Sequence, residues 1–370
     1  RLDRMSKITK QDVVEWANKY LGPESYAIIY KREGKDPDEQ KIAAPKITPI
    51  VTNRDSQSEF LSEIQTSQVQ PIEPVFVDYK KDMSQFEAQP GIDVLYKKNE
   101  TNDIFTLIYV FNTGTENDPA LNLAFNYLSY LGTDKMTAEE IASEMYDIAC
   151  SFYMNAGANQ SSIQITGLSE NMGKAMEIVE GLIAGAKPDE AILENCKADM
   201  LKSRADAKLN QSRCFGALQR YLFYGGDFIR RTTLTDPALQ ALTSEQLLAK
   251  IGGLMGKQHE VLYYGPQKEA EVKSALAEHH KVAADLQPLE KKFSTLLPTD
   301  ANKVVLAQYD AKLLYYLQFS NRGEKFDVAA DPEITLYNEY FGGGMNTIVF
   351  QEMREARGLA YTAWATLATP

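Results

Sequence analysis

The pair of residues best suited to chemistry is an arginine and a tyrosine seven positions apart, Arg354 and Tyr361. Gly358 between them is a natural helix stop, so Arg354 is expected on the last turns of a helix over 347–357, with Tyr361 opening the strand that follows. Such a turn can fold the two side chains back toward one point. A guanidinium and a phenol that converge supply hydrogen-bond donors to an oxygen gaining negative charge, as a carbonyl oxygen does when its carbon is attacked. By residue type alone the two read rather as a solvated helix arginine and an ordinary strand aromatic. Just upstream stands the triplet Gly342-Gly343-Gly344. Bare amides before a helix bind anions, but this triplet follows a helix and lacks the spacing and the Lys-Ser/Thr ending of a phosphate loop. A tight helix-to-helix connection with close backbone approach is the expectation.

Metal and thiol chemistry are poorly supplied. The three histidines are His259, His279 and His280. None has H-x-x-E-H spacing or its reverse, since Tyr263 stands four residues beyond His259 and adjacent His279 and His280 point about 100° apart on a helix. These last two are expected at an exposed helix end rather than gripping a metal with Asp285. Cys150, Cys196 and Cys214 are distant from one another and odd in number. They fit neither a disulfide framework nor a Cys-x-x-Cys site and are expected as small buried or half-buried thiols.

The elements that must position the pair come from a chain of 370 residues with 44% apolar and 24% charged composition. That is material for one or two sizeable cores and excludes the disordered, collagenous and disulfide-scaffold classes. With 39 basic against 51 acidic residues the net charge is −12. No general phosphate-binding surface and no nucleic-acid partner are expected. The longest apolar run, Ile104 to Phe111, is about half of a membrane-spanning helix and reads as a strand, so no membrane span is expected.

The chain repeats itself. A shift of 234 residues places Ile8-Thr9-Lys10-Gln11-Asp12 on Leu242-Thr243-Ser244-Glu245-Gln246, Gly22 on Gly256 and Tyr30 on Tyr264. Each copy reads as a threonine N-cap, an amphipathic helix, a glycine stop and a buried strand. A looser echo pairs the strand from Leu107 and the helix ending at Leu131 with the strand Leu314 to Phe319 and the helix ending at Phe341. The expected fold class is therefore α+β, with duplicated domains of mixed, mainly antiparallel sheet backed by helices. Residues 1–41 close one domain, 42–80 with Pro45, Pro49, Pro71 and Pro74 form a linker around a short helix near Ser58 to Thr66, 81–285 make a complete domain, and 286–370 begin another. Within 81–285, Ile92 to Tyr96 and Ile104 to Phe111 are expected as a hairpin, with helices at 118–131, 137–148, 171–186, 189–209 and 212–224 and strands near 150–156 and 161–168. Both chain ends read as cuts through a larger architecture.

The string Phe341-Gly342-Gly343-Gly344-Met345-Asn346, followed by Phe350-Gln351-Glu352-Met353-Arg354-Glu355 and Gly358-Leu359-Ala360-Tyr361, resembles the insulinase/pitrilysin family of zinc metallopeptidases, whose zinc motif is an inverted H-x-x-E-H. The resemblance covers essentially the whole chain. It implies four homologous α+β domains in two halves that close like a clamshell around a peptide. This chain would hold the tail of the second domain, the linker, the third domain and the opening of the fourth. It implies that Arg354 and Tyr361 are the transition-state donors and that Gly343, Gly344, Met345, Asn346 and Phe350 line the peptide cleft. It also implies zinc in the N-terminal half, held by two motif histidines and a downstream glutamate, and no cofactor in this chain. Where the third domain repeats the motif-bearing helix the sequence is Ala124-Phe125-Asn126-Tyr127-Leu128-Ser129-Tyr130, which reads as core packing. The implied function is the C-terminal half of a zinc metalloendopeptidase, inactive as a fragment, whose partners are a peptide substrate and the N-terminal half of the same polypeptide or a homologous subunit. The alternative is a non-catalytic structural protein on the same fold, like the core subunits of the respiratory cytochrome complex, which would have no need of the Arg-Tyr pair. The family's four-domain bacterial members imply the bacterial periplasm ahead of the cytoplasm.

Overall fold

A computed structural model describes the chain except for residues 32–33, 35–42, 44, 47–56, 290–293, 324, 326 and 369–370. Pro49 and most of the first part of the expected linker therefore lie outside the described residues. The chain divides into two compact units, Arg1–Pro74 and Val75–Pro370.

The first unit carries α1 (Leu2–Met5), α2 (Lys10–Tyr20) and α3 (Glu59–Thr66). Thr9 caps α2 with a reciprocal pair of bonds: its hydroxyl accepts from the Asp12 N–H at 3.2 Å and the Asp12 carboxylate accepts from the Thr9 N–H at 2.8 Å. Ser58 caps α3 by a single bond, its hydroxyl accepting from the Leu61 N–H at 3.2 Å, at the start of the short helix expected near Ser58 to Thr66.

The second unit is built on one sheet. Its strands are β1 (Ser84–Gln89), β2 (Ile92–Lys98), β3 (Ile104–Phe111), β4 (Cys150–Ala156), β5 (Ser161–Leu168) and β6 (His259–Gly265), in the spatial order β1-β2-β6-β3-β5-β4. Every pairing is antiparallel except β2 with β6. Alternate residues point into the core, as in the exposed-buried alternation of β3, so one face is covered and the other half-exposed. The covering helices are α4 (Leu121–Leu128), α5 (Ala138–Asp147), α6 (Met172–Gly185), α7 (Glu190–Lys208), α8 (Gln211–Thr232), α9 (Asp236–Ala241), α10 (Ser244–Met255) and α11 (Glu269–His279). Tyr127 on α4 ties this layer together: its buried hydroxyl donates to Ser244 Oγ at 2.8 Å and accepts from the Asp189 N–H at 2.7 Å, joining α4 to the first turns of α10 and α7. Leu123, Ala124, Phe125 and Leu128 on the same helix are likewise buried, as the expected core packing requires, but Tyr130, past the end of the helix, is exposed and does not join it. The unit continues into α12 (Asp331–Phe341) and α13 (Ile348–Phe350). Among the described residues no helix is long and apolar enough to cross a membrane.

Several expectations need correction. Ile92 to Tyr96 and Ile104 to Phe111 are strands but not a hairpin, because β6 enters between them, parallel to β2 and antiparallel to β3. The connection after β2 bridges the end of the inserted strand, where Asn99 N–H donates to Gly265 C=O at 2.7 Å. The hairpin partner of β2 is instead β1, through a Pro90-Gly91 turn in which Gly91 sits at φ +88°. Helix α8 runs past the expected stop at 224, but only through a kink at Gly225, whose φ is +81°.

The repeat holds for the helix and half-fails for the strand. Thr243 caps α10 with the same reciprocal pairing, through Gln246, that Thr9 makes through Asp12. Residues 26–31 after α2 form no strand, however, whereas β6 after α10 does. The expected strand Leu314 to Phe319 is also absent, with Leu314 and Tyr316 exposed. A strand needs a neighbour to take its backbone groups, and β6 alone of the three has one on each side.

Candidate functional site

Arg354 stands on a π-turn, Gln351–Ala356, that continues α13. It is closed by a wide i→i+6 bond, from Leu359 N–H to the Met353 carbonyl at 2.9 Å, around an ordinary i→i+4 bond from Gly358 N–H to the Arg354 carbonyl at 3.0 Å. Gly358 at φ +57° provides the left-handed step. The chain then reverses, and the guanidinium carbon of Arg354 comes to lie over the Tyr361 ring at 4.8 Å from its centroid. The expected convergence of the two is thus present. Tyr361 itself is in a bend, not a strand, and is 85% exposed. Glu355 approaches the Arg354 Nε at 3.8 Å, and Arg357 pairs with Glu352 on the outer side of the turn.

The returning chain is docked on α12 by backbone proximity. Ala365 N–H donates to the Gly342 carbonyl at 3.3 Å, while Asn338 binds Leu367 at both ends of its amide, accepting its N–H at 2.7 Å and donating to its carbonyl at 2.9 Å. A Cβ on Gly342 would stand 2.2 Å from the Ala365 oxygen, and one on Gly343 2.9 Å from the Asn338 oxygen. Gly342 and Gly343 make the close approach expected of the triplet, whereas a Cβ on Gly344 would meet nothing within 4 Å. Gly343, Gly344, Met345 and Asn346 lie exposed on the surface between α12 and α13, with Phe350 half-buried one turn before Arg354. Sequence reasoning missed Thr347, which is buried and donates to the Gly344 carbonyl at 2.6 Å, and Gln351, which donates to the Met345 carbonyl at 2.7 Å. Their polar type before a helix was the available signal. Gly342→Ala should cost about 1–3 kcal/mol through forced backbone displacement. Thermal melts against wild type check this, and faster amide exchange over 361–367 should accompany the loss.

His280 corrects the expected exposed helix end. It is only 5% exposed, at the C-cap of α11, and it joins a buried line of three polar groups. His259 Nδ1–H donates to the Lys257 carbonyl at 2.8 Å, the two Nε2 atoms are 2.8 Å apart, and His280 Nδ1 meets Glu180 Oε1 on α6 at 2.5 Å. A carbonyl only accepts, so a neutral His259 keeps its hydrogen on Nδ1 and offers a lone pair at Nε2. His280 must then donate from Nε2, and its Nδ1 faces the Glu180 carboxylate. Tyr109 of β3 packs over His280 with centroids 4.2 Å apart, its phenol pushed well up by burial and by the Glu180 charge. His259 is held from its ordinary 6.5 down to about 4, first by burial and then by His280. At 2.8 Å the two nitrogens leave no room for an ion between them. Among the described residues no group of three His, Cys, Asp or Glu side chains could hold a metal, so no zinc site can be built from them. Cys150 and Cys196 are buried and Cys214 half-buried, all as free thiols.

No protein-family model matches the chain. An uncharacterized zinc protease of Streptomyces coelicolor is 22% identical over 270 residues, covering 67% of this chain and 56% of the relative. The chain therefore spans little more than half the length of that curated protein. The peptidase M16 inactive domain from Pseudomonas fluorescens superposes with a TM-score of 0.60 at 16% identity, over 78% of this chain and 71% of that one. A conserved protein from Enterococcus faecalis V583 gives 0.61 at 14% identity over 78% and 73%, and a protease from Helicobacter pylori gives 0.59 at 12% over 78% and 71%. These likenesses establish the α+β fold of the inactive-domain structures. The chain is thus similar in fold to a peptidase M16 inactive domain and in sequence to a zinc protease.

Proposed function

We propose that this chain is the non-zinc half of a zinc metallopeptidase and that Arg354 and Tyr361 donate hydrogen bonds to the scissile carbonyl oxygen as it gains charge. The observation that carries this is the contact of the two side chains at 4.8 Å, made by a glycine turn that leaves the phenol at the surface. A guanidinium laid against a phenol fixes the direction of both donors before substrate arrives, and donors fixed in advance cost no reorganisation in the reaction. Gly343, Gly344, Met345 and Asn346 form the exposed surface beside the pair, where an extended peptide would run. The zinc ligands and the opposing wall belong to the N-terminal half of the polypeptide or to a homologous subunit.

Elemental analysis and a peptide-cleavage assay on this chain alone, then on the chain joined to its N-terminal half, test the assignment. The isolated chain is expected to carry no stoichiometric zinc and to cleave no peptide, and the joined protein to do both. One zinc per isolated chain, retained through a mild chelator wash, would show the ligands to be here instead.

A further inference from the structure

The guanidinium of Arg354 touches two rings, not one. Its central carbon lies over the Phe350 ring at 4.7 Å from the centroid, nearly the same distance as from Tyr361. Tyr361 follows a turn and is 85% exposed, whereas Phe350 is half-buried in the helix that carries Arg354. One ring is therefore anchored and the other is not. The π-turn over Gln351–Ala356 bears on this. An i→i+5 ladder has more residues per turn than an α-helix, so side chains four apart stack more nearly one above the other. Phe350 and Arg354 are four apart, and the widened turn places the guanidinium on the ring.

We propose that Phe350 is a positioning residue: it acts on the reaction by holding the Arg354 guanidinium in place, not by touching the peptide. This rests on the donor role proposed for Arg354 above. The anchored ring fixes the guanidinium, and the guanidinium in turn fixes Tyr361, so both donors take their direction from Phe350. Glu355 contacts Nε at 3.8 Å, longer than a hydrogen bond at that atom.

A double-mutant cycle in the full-length enzyme, with an internally quenched fluorescent peptide as substrate, tests this. Phe350→Leu should lower kcat about tenfold, the scale of a partly desolvated cation–ring contact, with KM within about twofold of wild type. Phe350→Tyr, which keeps the ring, should restore kcat. In an Arg354→Ala background Phe350→Leu should have no further effect, because the group it positions is gone. A raised KM with unchanged kcat, or a full Phe350 effect surviving in the Arg354→Ala background, would overturn the proposal and make Phe350 a wall of the peptide site. An Arg354→Ala enzyme with wild-type kcat would instead remove the donor role itself, and the positioning role with it. Zinc content and melting temperature of each variant separate these outcomes from misfolding.

Discussion

Tyr361→Phe in the full-length protein should lower kcat on the order of 10²–10³-fold, the usual cost of deleting one donor to an oxyanion. The substitution keeps the ring, and with it the contact to Arg354 at 4.8 Å, so the melting temperature and zinc content should not change. Only the O–H is lost. Because that donor meets an oxygen whose charge grows along the reaction, the loss should fall on kcat more than on KM. Arg354→Ala should be as damaging or worse, since it removes a donor, a charge and the surface on which Tyr361 lies. The two losses should be less than additive, as expected of groups in contact. Steady-state kinetics on the three variants decide this.

The second large effect concerns acid. His259 is held at about 4 against an ordinary 6.5 because burial opposes its charged form. In the unfolded chain it takes up a proton as pH falls below 6.5, while in the folded chain it does not until about 4. The folded state therefore has its full advantage above pH 6.5 and loses it progressively between 6.5 and 4, by roughly 3 kcal/mol at the low end. The geometry gives the same sign. A proton added at His259 Nε2 would set N–H against the N–H of His280 at 2.8 Å, breaking the line from β6 through the end of α11 to Glu180 on α6. Melting temperatures of the wild type and of His259→Gln across pH 7 to 4 check this, the variant being expected to lose this share of the slope. Equal slopes would show that His259 titrates alike in both states.

What the sequence disclosed were the features that depend on near neighbours. The caps at Thr9, Ser58 and Thr243 are chemistry within three residues, and each is found where its residue type puts it. Gly342 was legible as a close approach and Gly358 as a helix stop for the same reason. Convergence of Arg354 and Tyr361 followed from one glycine between them. What could not be read depends on distant partners. The place of β6 between β2 and β3 is set by a strand that arrives some 150 residues later, and nothing in Ile92 to Phe111 announces it. His280 is buried by Glu180, 100 positions away, so its local sequence at a helix end pointed outward. The π-turn at 351–356 is likewise invisible in composition, because a one-residue change in the closing bonds leaves no mark on residue type.

The central claim is that Arg354 and Tyr361 recognise the reacting carbonyl more strongly in the transition state than in bound substrate. Affinity for a tetrahedral phosphinic peptide, measured beside affinity for the matched uncleaved peptide in wild type and in Tyr361→Phe, tests it most directly. The expected result is a loss for the tetrahedral compound on the order of 10²–10³-fold in the variant, with binding of the ordinary peptide nearly unchanged. Equal losses for both ligands, or none for either, would contradict the assignment.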